Sequence, residues 1–314
     1  MANSSFISTA NVPYVGRFAP SPTGPLHFGS LLAALASYLD AHSNGGKWLI
    51  RMEDLDPPRE MAAAKDRILA ALNAHQLFSD EAIIYQSQRN DLYQQALDYL
   101  IQQNLAFPCT CSRKQLLKVN GVHFGNCHSD TFTASSSANS NASASPEFSW
   151  RFDCQSFTND DDVSFVDRLQ NTFSQSIQKA IGDFVVKRKD QLWAYQLALV
   201  VDDHLQGITH VVRGIDLIDS TLRQNMLQRA LGYPIPVYSH IPVACADNGQ
   251  KLSKQNLAPA LNLNNPADNL WNALLWLKQE PPLPLRSSSI ADILSWGIKH
   301  WQPQRLQGIQ SQEI

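Results

Sequence analysis

The chain of 314 residues has few cysteines and no long apolar run. Its 5 cysteines are too few and too unevenly spread for a disulfide framework, which indicates a reducing compartment. No stretch approaches the roughly 20 apolar residues that a bilayer-spanning helix needs, and the first residues lack the basic start of a secretory signal. We therefore expect a soluble, cytoplasmic protein.

A strong charge of either sign is also missing. The net charge is −3 and the isoelectric point is near 6.3, so the composition carries no overall signature of nucleic-acid binding. Any RNA contact must come from a local basic face. The hydrophobic fraction of 44% is ample for burial, and 314 residues exceed what one compact core usually holds. Two or more domains are therefore expected.

The segment from Tyr14 to Ser30 begins β-rich, breaks at a cluster of prolines and continues into leucines at helical spacing. It predicts a strand, a tight loop and a helix that starts near His27, Gly29 and Ser30. Unpaired N–H groups at a helix N-terminus favour an anion, and Gly29 lets a ligand approach the backbone closely. His27 can donate a hydrogen bond to a phosphate oxygen. For the prolines and the histidine alone, an ordinary surface loop is the simpler interpretation.

A second stretch argues against an ordinary surface loop. Lys251 and Lys254 flank a serine in Lys-Leu-Ser-Lys-Gln, just after a turn at 247–249. Two ammonium groups suit a substrate whose negative charge grows as a phosphoryl or adenylyl bond rearranges. Together with the segment around His27, this pattern suits a site that binds a phosphate-bearing substrate.

Pro-Leu-His-Phe-Gly-Ser at 25–30 and Lys-Leu-Ser-Lys-Gln at 251–255 resemble the two signatures of class I aminoacyl-tRNA synthetases. Three further stretches are similar to the glutamyl branch of that class: Gly-Arg-Phe-Ala-Pro-Ser-Pro-Thr-Gly at 16–24, Arg-Met-Glu-Asp-Leu-Asp at 51–56 and His-Val-Val-Arg-Gly at 210–214. The motifs stand in family order over nearly the whole chain. The resemblance implies an α/β fold, with a Rossmann-type doubly wound parallel sheet, an inserted zinc-bearing α/β domain and a short helical C-terminal region.

The resemblance also divides the chain. Residues 1–107 and 191–246 are expected to form the two halves of the catalytic domain, and 108–190 an inserted acceptor-binding domain. Residues 247–314 would hold the lysine loop and the helical C-terminal region. The apolar run from Leu192 to His204 could be helix or strand by periodicity alone. The family likeness makes it the return of the chain into the nucleotide-binding sheet, with Tyr195 at the amino-acid pocket.

Cys109, Cys111, His123 and Cys127 form a candidate metal site. Three thiolates and an imidazole suit tetrahedral zinc, and in a cytosolic chain such a cluster favours a metal over a disulfide. Small buried cysteines with a chance histidine are the alternative. Short glutamyl-type relatives carry a tyrosine where this chain has His123, which leaves the fourth ligand open, with His128 as a competitor. We expect one structural zinc per chain.

Residues 130–145 are rich in serine, alanine and asparagine, with a single aromatic residue and almost no charge. Such a stretch cannot bury enough apolar surface to order itself. We interpret it as a flexible insertion that the family pattern does not have.

The resemblance, with residue chemistry, assigns roles. Arg17 and Arg213 offer planar forks for the carboxylates of glutamate, and Glu53 an anion for its ammonium group. The rest of the glutamate pocket comprises Phe18, Ala19, Pro20, Ser21 and Tyr195. ATP would be bound by His27, Gly29, Ser30 and Lys254, with His27, Lys251 and Lys254 as the catalytic residues. Mg²⁺ would accompany ATP, although no dedicated carboxylate cage is evident.

The chain resembles a truncated glutamyl-type family that has no anticodon-binding domain. That family activates glutamate with ATP and attaches it to the queuosine base in the anticodon loop of tRNA(Asp). The implied partners are ATP, L-glutamate and the anticodon stem-loop of tRNA(Asp), and we expect a monomer. Candidate RNA contacts are Arg113, Lys114, Lys118, Lys187, Arg188 and Lys189.

Three alternatives stay open at this point. The cluster at 187–189 could equally be the ordinary charge of a hairpin. The enzyme could charge a tRNA 3′ end, or another acceptor, in the conventional way. It could also be an inactive binding or regulatory module, although the intact His27, Lys254, Arg17 and Arg213 argue against that.

Overall fold

The computed structural model describes residues 13–117, 121–123, 148–245 and 259–313. Its first part alternates strands and helices: β1 (Val15–Phe18), α1 (Phe28–Ser43), β2 (Lys47–Met52), α2 (Ala64–Ala74), β3 (Ile84–Tyr85), α3 (Asn90–Gln102), β4 (Ala106–Cys109) and α4 (Arg113–Leu117). The predicted strand, loop and helix around Tyr14–Ser30 are confirmed.

The remaining elements follow in the order β5 (Ser149–Phe152), α5 (Cys154–Phe157), β6 (Asp162–Asp167), β7 (Asn171–Ser176), β8 (Phe184–Lys187), α6 (Tyr195–Leu205), β9 (His210–Gly214), α7 (Ile218–Ala230), β10 (Val237–Ile241), β11 (Val243–Cys245), α8 (Pro266–Trp276), α9 (Ile290–His300) and β12 (Ser311–Glu313).

The central sheet is largely parallel. Strands β1, β2 and β3 form one parallel group, and β9, β10 and β6 form another, with β7 antiparallel to β6 at its edge. The two groups meet where the Thr209 main-chain N–H donates to the Val15 carbonyl oxygen at 2.9 Å. The carboxyl ends of β1 and β9 also lie near each other, since Phe18 and Gly214 line one cavity. Open α/β sheets bind ligands at such a position.

The parallel strands are covered on both faces. Trp48 to Met52 of β2 are all buried, as is usual for a parallel strand between helices. Helix α1 buries Leu31, Leu35 and Leu39 against the sheet, and α8 and α9 pack onto it. Three C-terminal tryptophans are largely buried, Trp271, Trp276 and Trp301, whereas Trp296 is half-buried.

The apolar run from Leu192 to His204, which periodicity left open between helix and strand, forms helix α6 from Tyr195 onwards. Within α6 every residue from Leu197 to Asp203 is buried. A helix that is apolar on all sides shows no 3.6-residue alternation, so periodicity could not identify it.

A separate antiparallel sheet has the order β4-β5-β8. It begins two residues before the predicted insertion at 108–190 and otherwise lies within it. The hairpin β6–β7, from the same stretch, extends the central sheet beside β10. The serine-rich segment 130–145 lies outside the described residues.

Candidate active site and a cysteine–histidine cluster

A cavity of about 320 Å³ opens where β1, β9 and β10 end. Most of the residues assigned to glutamate and ATP from the sequence line it: Arg17, Phe18, Ala19, Pro20, Ser21, His27, Gly29, Ser30, Tyr195 and Arg213. Lys251 and Lys254 lie outside the described residues. Ala244, on one side of their segment, lines the cavity, and Ala260, on the other side, pairs with His27. Both described ends of the lysine segment are thus at the cavity.

The carboxylate of Asp203 holds the guanidinium group of Arg17 in place. Its Nε and Nη2 donate to the two oxygens of Asp203 at 3.2 and 3.3 Å. Arg51 adds a contact of 2.8 Å to the same carboxylate. Burial alone would raise the pKa of Asp203, but these two guanidinium groups hold it below its usual range. Asp203 therefore stays charged and fixes the guanidinium plane of Arg17.

Sequence reasoning missed Asp203. The signal was present, because Asp202 and Asp203 end an otherwise apolar run, and buried carboxylates need charged partners. Asp202 accepts from Arg89 and Tyr93 at 2.6 and 2.7 Å.

Glu53 lies beside the cavity but is not among the described residues that line it. Its carboxylate contacts Arg51 at 3.3 Å, and its N–H donates to the carbonyl oxygen of Pro20, a lining residue. Burial raises the pKa of Glu53, against the opposing charges of Arg51 and Arg17. Burial also raises the pKa of the Tyr195 hydroxyl, which therefore stays protonated as a hydrogen-bond donor.

Arg213 reaches the cavity from the end of β9 with only part of its guanidinium paired. Its Nη2 donates to the Thr221 hydroxyl at 2.7 Å and to Gln224 Oε1 at 2.8 Å, and its Nε to His240 Nε2 at 3.1 Å. Its buried Nη1 has no hydrogen-bond partner within the described ranges. A buried charged donor without a partner is costly, which favours an anionic ligand at this place.

His27 caps α1 at the cavity wall. The Ser30 main-chain N–H donates to its Nδ1 at 3.3 Å. Since Nδ1 accepts, we assign the ring proton to Nε2 in the neutral imidazole. In this tautomer the ring carries its N–H at Nε2, on a residue that lines the cavity beside the N-terminus of α1.

Cys109, Cys111 and His123 come together, as the sequence predicted. Their ligand atoms all lie within 4.8 Å of one another, and Cys109 Sγ is 3.5 Å from His123 Nε2. Zinc–ligand lengths give a tetrahedral S–N edge of about 3.6 Å, so the spacing fits this metal. Cys127 and His128, the candidates for the remaining position, lie outside the described residues.

Asp183 orients His123, and sequence reasoning missed it. Its Oδ2 contacts His123 Nδ1 at 2.9 Å, which leaves Nε2 facing Cys109. The main-chain N–H of Asp183 also donates to the His123 carbonyl oxygen at 2.6 Å. Only glycine fits before it, since Gly182 has φ +58° and an added Cβ would lie 2.4 Å from that oxygen.

The basic residues at 187–189 make contacts within the protein. Lys187 Nζ lies 4.3 Å from the centre of the Trp193 ring and donates to Gln94, and burial lowers its pKa. Arg188 pairs with Asp190 and Asp56, and Lys189 donates to the Thr110 carbonyl oxygen. These contacts favour the interpretation that the three residues are ordinary charged residues of a hairpin, over the interpretation that they bind RNA. Of the other candidates, Lys114 is exposed, Lys118 lies outside the described residues, and the side chain of Arg113 is not described.

Across the described ranges, no helix is both long and apolar enough to cross a membrane.

The chain is similar to known tRNA synthetases. The family of class I tRNA synthetases (E and Q), catalytic domain, matches residues 14–274. The chain is 45% identical over 289 residues to the glutamyl-Q tRNA(Asp) synthetase of Serratia proteamaculans, covering 92% of this chain and 90% of the relative. It is 46% identical over 294 residues to the enzyme of that name from Dechloromonas aromatica, covering 93% and 95%.

The fold has a solved counterpart. The glutamate-tRNA synthetase of Elizabethkingia anophelis superposes with a TM-score of 0.74 at 21% identity, covering 96% of this chain and 68% of that one. This likeness supports the fold alone. On the sequence matches, the chain belongs to the glutamyl-Q tRNA(Asp) synthetase family of the class I tRNA synthetases.

Proposed function

We propose that the protein activates L-glutamate with ATP and transfers the glutamyl group to the queuosine base in the anticodon loop of tRNA(Asp). The observation that carries this proposal is the cavity with two buried arginines, Arg17 and Arg213, beside the N-terminus of α1, in a member of this family. The arrangement suits a dicarboxylic amino acid on one side and a nucleotide phosphate on the other.

Glutamate would be held mainly by charge. The unpaired Nη1 of Arg213 would meet one carboxylate, and Arg17, fixed by Asp203, the other. The Tyr195 and Ser21 hydroxyl groups would complete the hydrogen bonding, and Phe18, Ala19 and Pro20 the wall of the pocket. Glu53 remains our candidate for the ammonium group.

In the first step an oxygen of the glutamate α-carboxylate attacks the α-phosphorus of ATP. The bond to the bridging oxygen breaks, and pyrophosphate leaves with its charge. His27 Nε2–H and the main-chain N–H groups of Gly29 and Ser30 would stabilise the transferred phosphoryl group, with Lys251 and Lys254 on the leaving side. Mg²⁺ would accompany the ATP phosphates.

In the second step a hydroxyl of the queuosine cyclopentenediol attacks the glutamyl carbonyl carbon, and AMP leaves. The hydroxyl proton passes to the departing phosphate or to water. The RNA would be held by its helical shape and its unpaired loop, as A-form stems usually are. We propose that one monomer suffices for both steps.

The cysteine–histidine cluster would hold one structural zinc. Cys109, Cys111 and His123 would supply three ligands, and Cys127 is our candidate for the fourth. A closed four-ligand site leaves no position for a reacting water, so the metal would stabilise the inserted region and help to orient the acceptor, without taking part in the chemistry.

Transfer of labelled glutamate tests the acceptor. With tRNA(Asp) from cells that can or cannot make queuosine, label should appear only on the queuosine-bearing RNA and should survive removal of the RNA 3′ end. Equal labelling of both RNAs, lost with the 3′ adenosine, would replace this proposal by conventional 3′-end charging.

A further inference from the structure

Three neighbouring strands place an aspartate, a histidine and an arginine in a row. His240 of β10 is the register partner of Arg213 on β9, and Asp167 ends β6 on the other side of β10. His240 is fully buried, and Asp167 and Arg213 are 2% and 5% exposed. Their spacing is that of a continuous hydrogen-bonded chain: Asp167 Oδ2 to His240 Nδ1 is 2.6 Å, and His240 Nε2 to Arg213 Nε is 3.1 Å.

The aspartate determines which ring nitrogen carries the proton. Asp167 is acceptor-only, and it is itself fixed by the main-chain N–H groups of Leu169, Gln170 and His240. The proton therefore sits on His240 Nδ1, and Nε2 keeps its lone pair. An arginine has donors only, so Nε2 must be the acceptor for Arg213 Nε–H. Burial lowers the pKa of His240, which keeps the imidazole neutral, as these hydrogen bonds require.

The hydrogen bonds that run from Asp167 through His240 restrain the Arg213 guanidinium on one side, and two polar side chains restrain it on the other. His240 takes the Nε–H of Arg213, and Thr221 and Gln224 take the hydrogens of Nη2. Of the three nitrogens of the Arg213 guanidinium, Nη1 is then the one without a partner among the described residues, and Arg213 lines the cavity. A guanidinium fixed in this way cannot turn to suit a ligand group that lacks negative charge.

We propose that His240, held in one tautomer by Asp167, is a positioning residue that fixes Arg213 and thereby sets the preference for glutamate over glutamine. This inference rests on the proposed function, in which Arg213 meets a glutamate carboxylate. A glutamine amide would leave the fixed donor poorly paired in a desolvated pocket, and that mismatch is expensive. Without His240 the guanidinium gains freedom, so it binds glutamate less well and rejects glutamine less strictly.

Two substitutions separate positioning from mere packing. Asparagine at 240 can reproduce the Nδ1 donor towards Asp167 but offers nothing at the Nε2 position, whereas glutamine can place an acceptor oxygen there. In glutamate-dependent pyrophosphate exchange, His240→Asn should raise the KM for glutamate roughly ten- to a hundredfold, as expected for a lost charged hydrogen bond, with the KM for ATP unchanged. The ratio of glutamate to glutamine use should fall with it.

His240→Gln should recover most of the glutamate KM and selectivity. His75→Asn is the matched control, since His75 is equally buried but bonds to the Ala71 carbonyl oxygen instead of to a cavity residue. It should leave the glutamate KM unchanged. The inference is overturned if His240→Asn behaves like the control, or if glutamine at 240 impairs the enzyme as much as asparagine.

The tautomer can be measured without any variant. The imidazole ¹⁵N shifts of His240 in the wild-type protein should show a neutral ring protonated at Nδ1. Protonation at Nε2 would refute the proposed hydrogen bonds between Asp167, His240 and Arg213, even if the variants fail to fold. Failure of the proposed glutamate activation looks different: the wild-type enzyme would then not exchange pyrophosphate with glutamate at all.

Discussion

At the scale of single residues, Asp183 determines how His123 faces the two thiols. Its carboxylate accepts from His123 Nδ1 and, through Oδ1, from the Cys154 main-chain N–H at 3.0 Å. In Asp183→Asn the Cys154 N–H would keep the amide oxygen, so the amide NH₂ would face Nδ1. The ring proton would then move to Nε2, the nitrogen that must be free to bind a metal.

We therefore expect Asp183→Asn to weaken zinc binding by about ten- to a hundredfold. Competition against a chromophoric chelator measures this directly. Asp160→Asn, in the same region but exposed, is the control and should bind zinc as the wild type does. Equal affinities in all three proteins would show that Asp183 does not orient a metal ligand.

Lys254 is the second residue whose role can be isolated. Lys254→Ala should slow glutamate-dependent pyrophosphate exchange by about a hundredfold, the usual loss for one group that stabilises developing charge. Folding should not change. Lys299→Ala, which removes an exposed lysine of α9, serves as the control. An unchanged exchange rate for Lys254→Ala would exclude the lysine segment from the chemistry.

At the scale of elements, the His27 side chain has two roles at the start of α1. His27 caps the helix through Nδ1 and would present Nε2–H to the nucleotide. Asparagine is a good N-cap but is too short to replace the Nε2 donor. Alanine can neither cap the helix nor replace that donor.

His27→Asn should therefore lose activation while keeping the wild-type thermal midpoint. His27→Ala should lose activation and also about 0.5–2 kcal/mol of stability, the usual cost of a missing cap. Calorimetry and pyrophosphate exchange on the two variants separate the tasks. Normal exchange by His27→Asn would show that the imidazole acts only as a cap.

At the scale of the whole molecule, burial makes the folded state sensitive to acid. It lowers the pKa of His42, His75, His210 and His240. Below the unfolded-state value of about 6.5, the unfolded chain binds protons that the folded chain refuses, so stability falls as the pH falls. Glu53, whose pKa burial raises, acts in the opposite direction but is a single group.

The urea midpoint should therefore be lower at pH 5.5 than at pH 7.5. His75→Gln removes one of the four groups and should make this dependence shallower. A midpoint that stays constant or rises towards pH 5.5 would contradict the assignment of buried neutral histidines.

Much of this protein is determined by local sequence. The bounds of β1, α1 and β2 follow from apolar patterns broken by proline and glycine, and these signals act over a few residues. The lining of the cavity by Arg17, His27 and Arg213 was likewise predictable, because residues at strand ends and helix starts meet at one edge of a parallel sheet.

Tertiary structure alone decided the groups that hold those residues in place. Asp203 stands 186 residues from Arg17, Asp167 stands 73 from His240, and Asp183 stands 60 from His123. Helix α6, buried on all sides, carries no periodicity that would reveal it. A charge or a lone pair acts over a few ångströms in space, whatever the distance along the chain. The sequence therefore determined which side chains face the cavity, and only the packing of the strands and of α6 decided which partners fix their orientation.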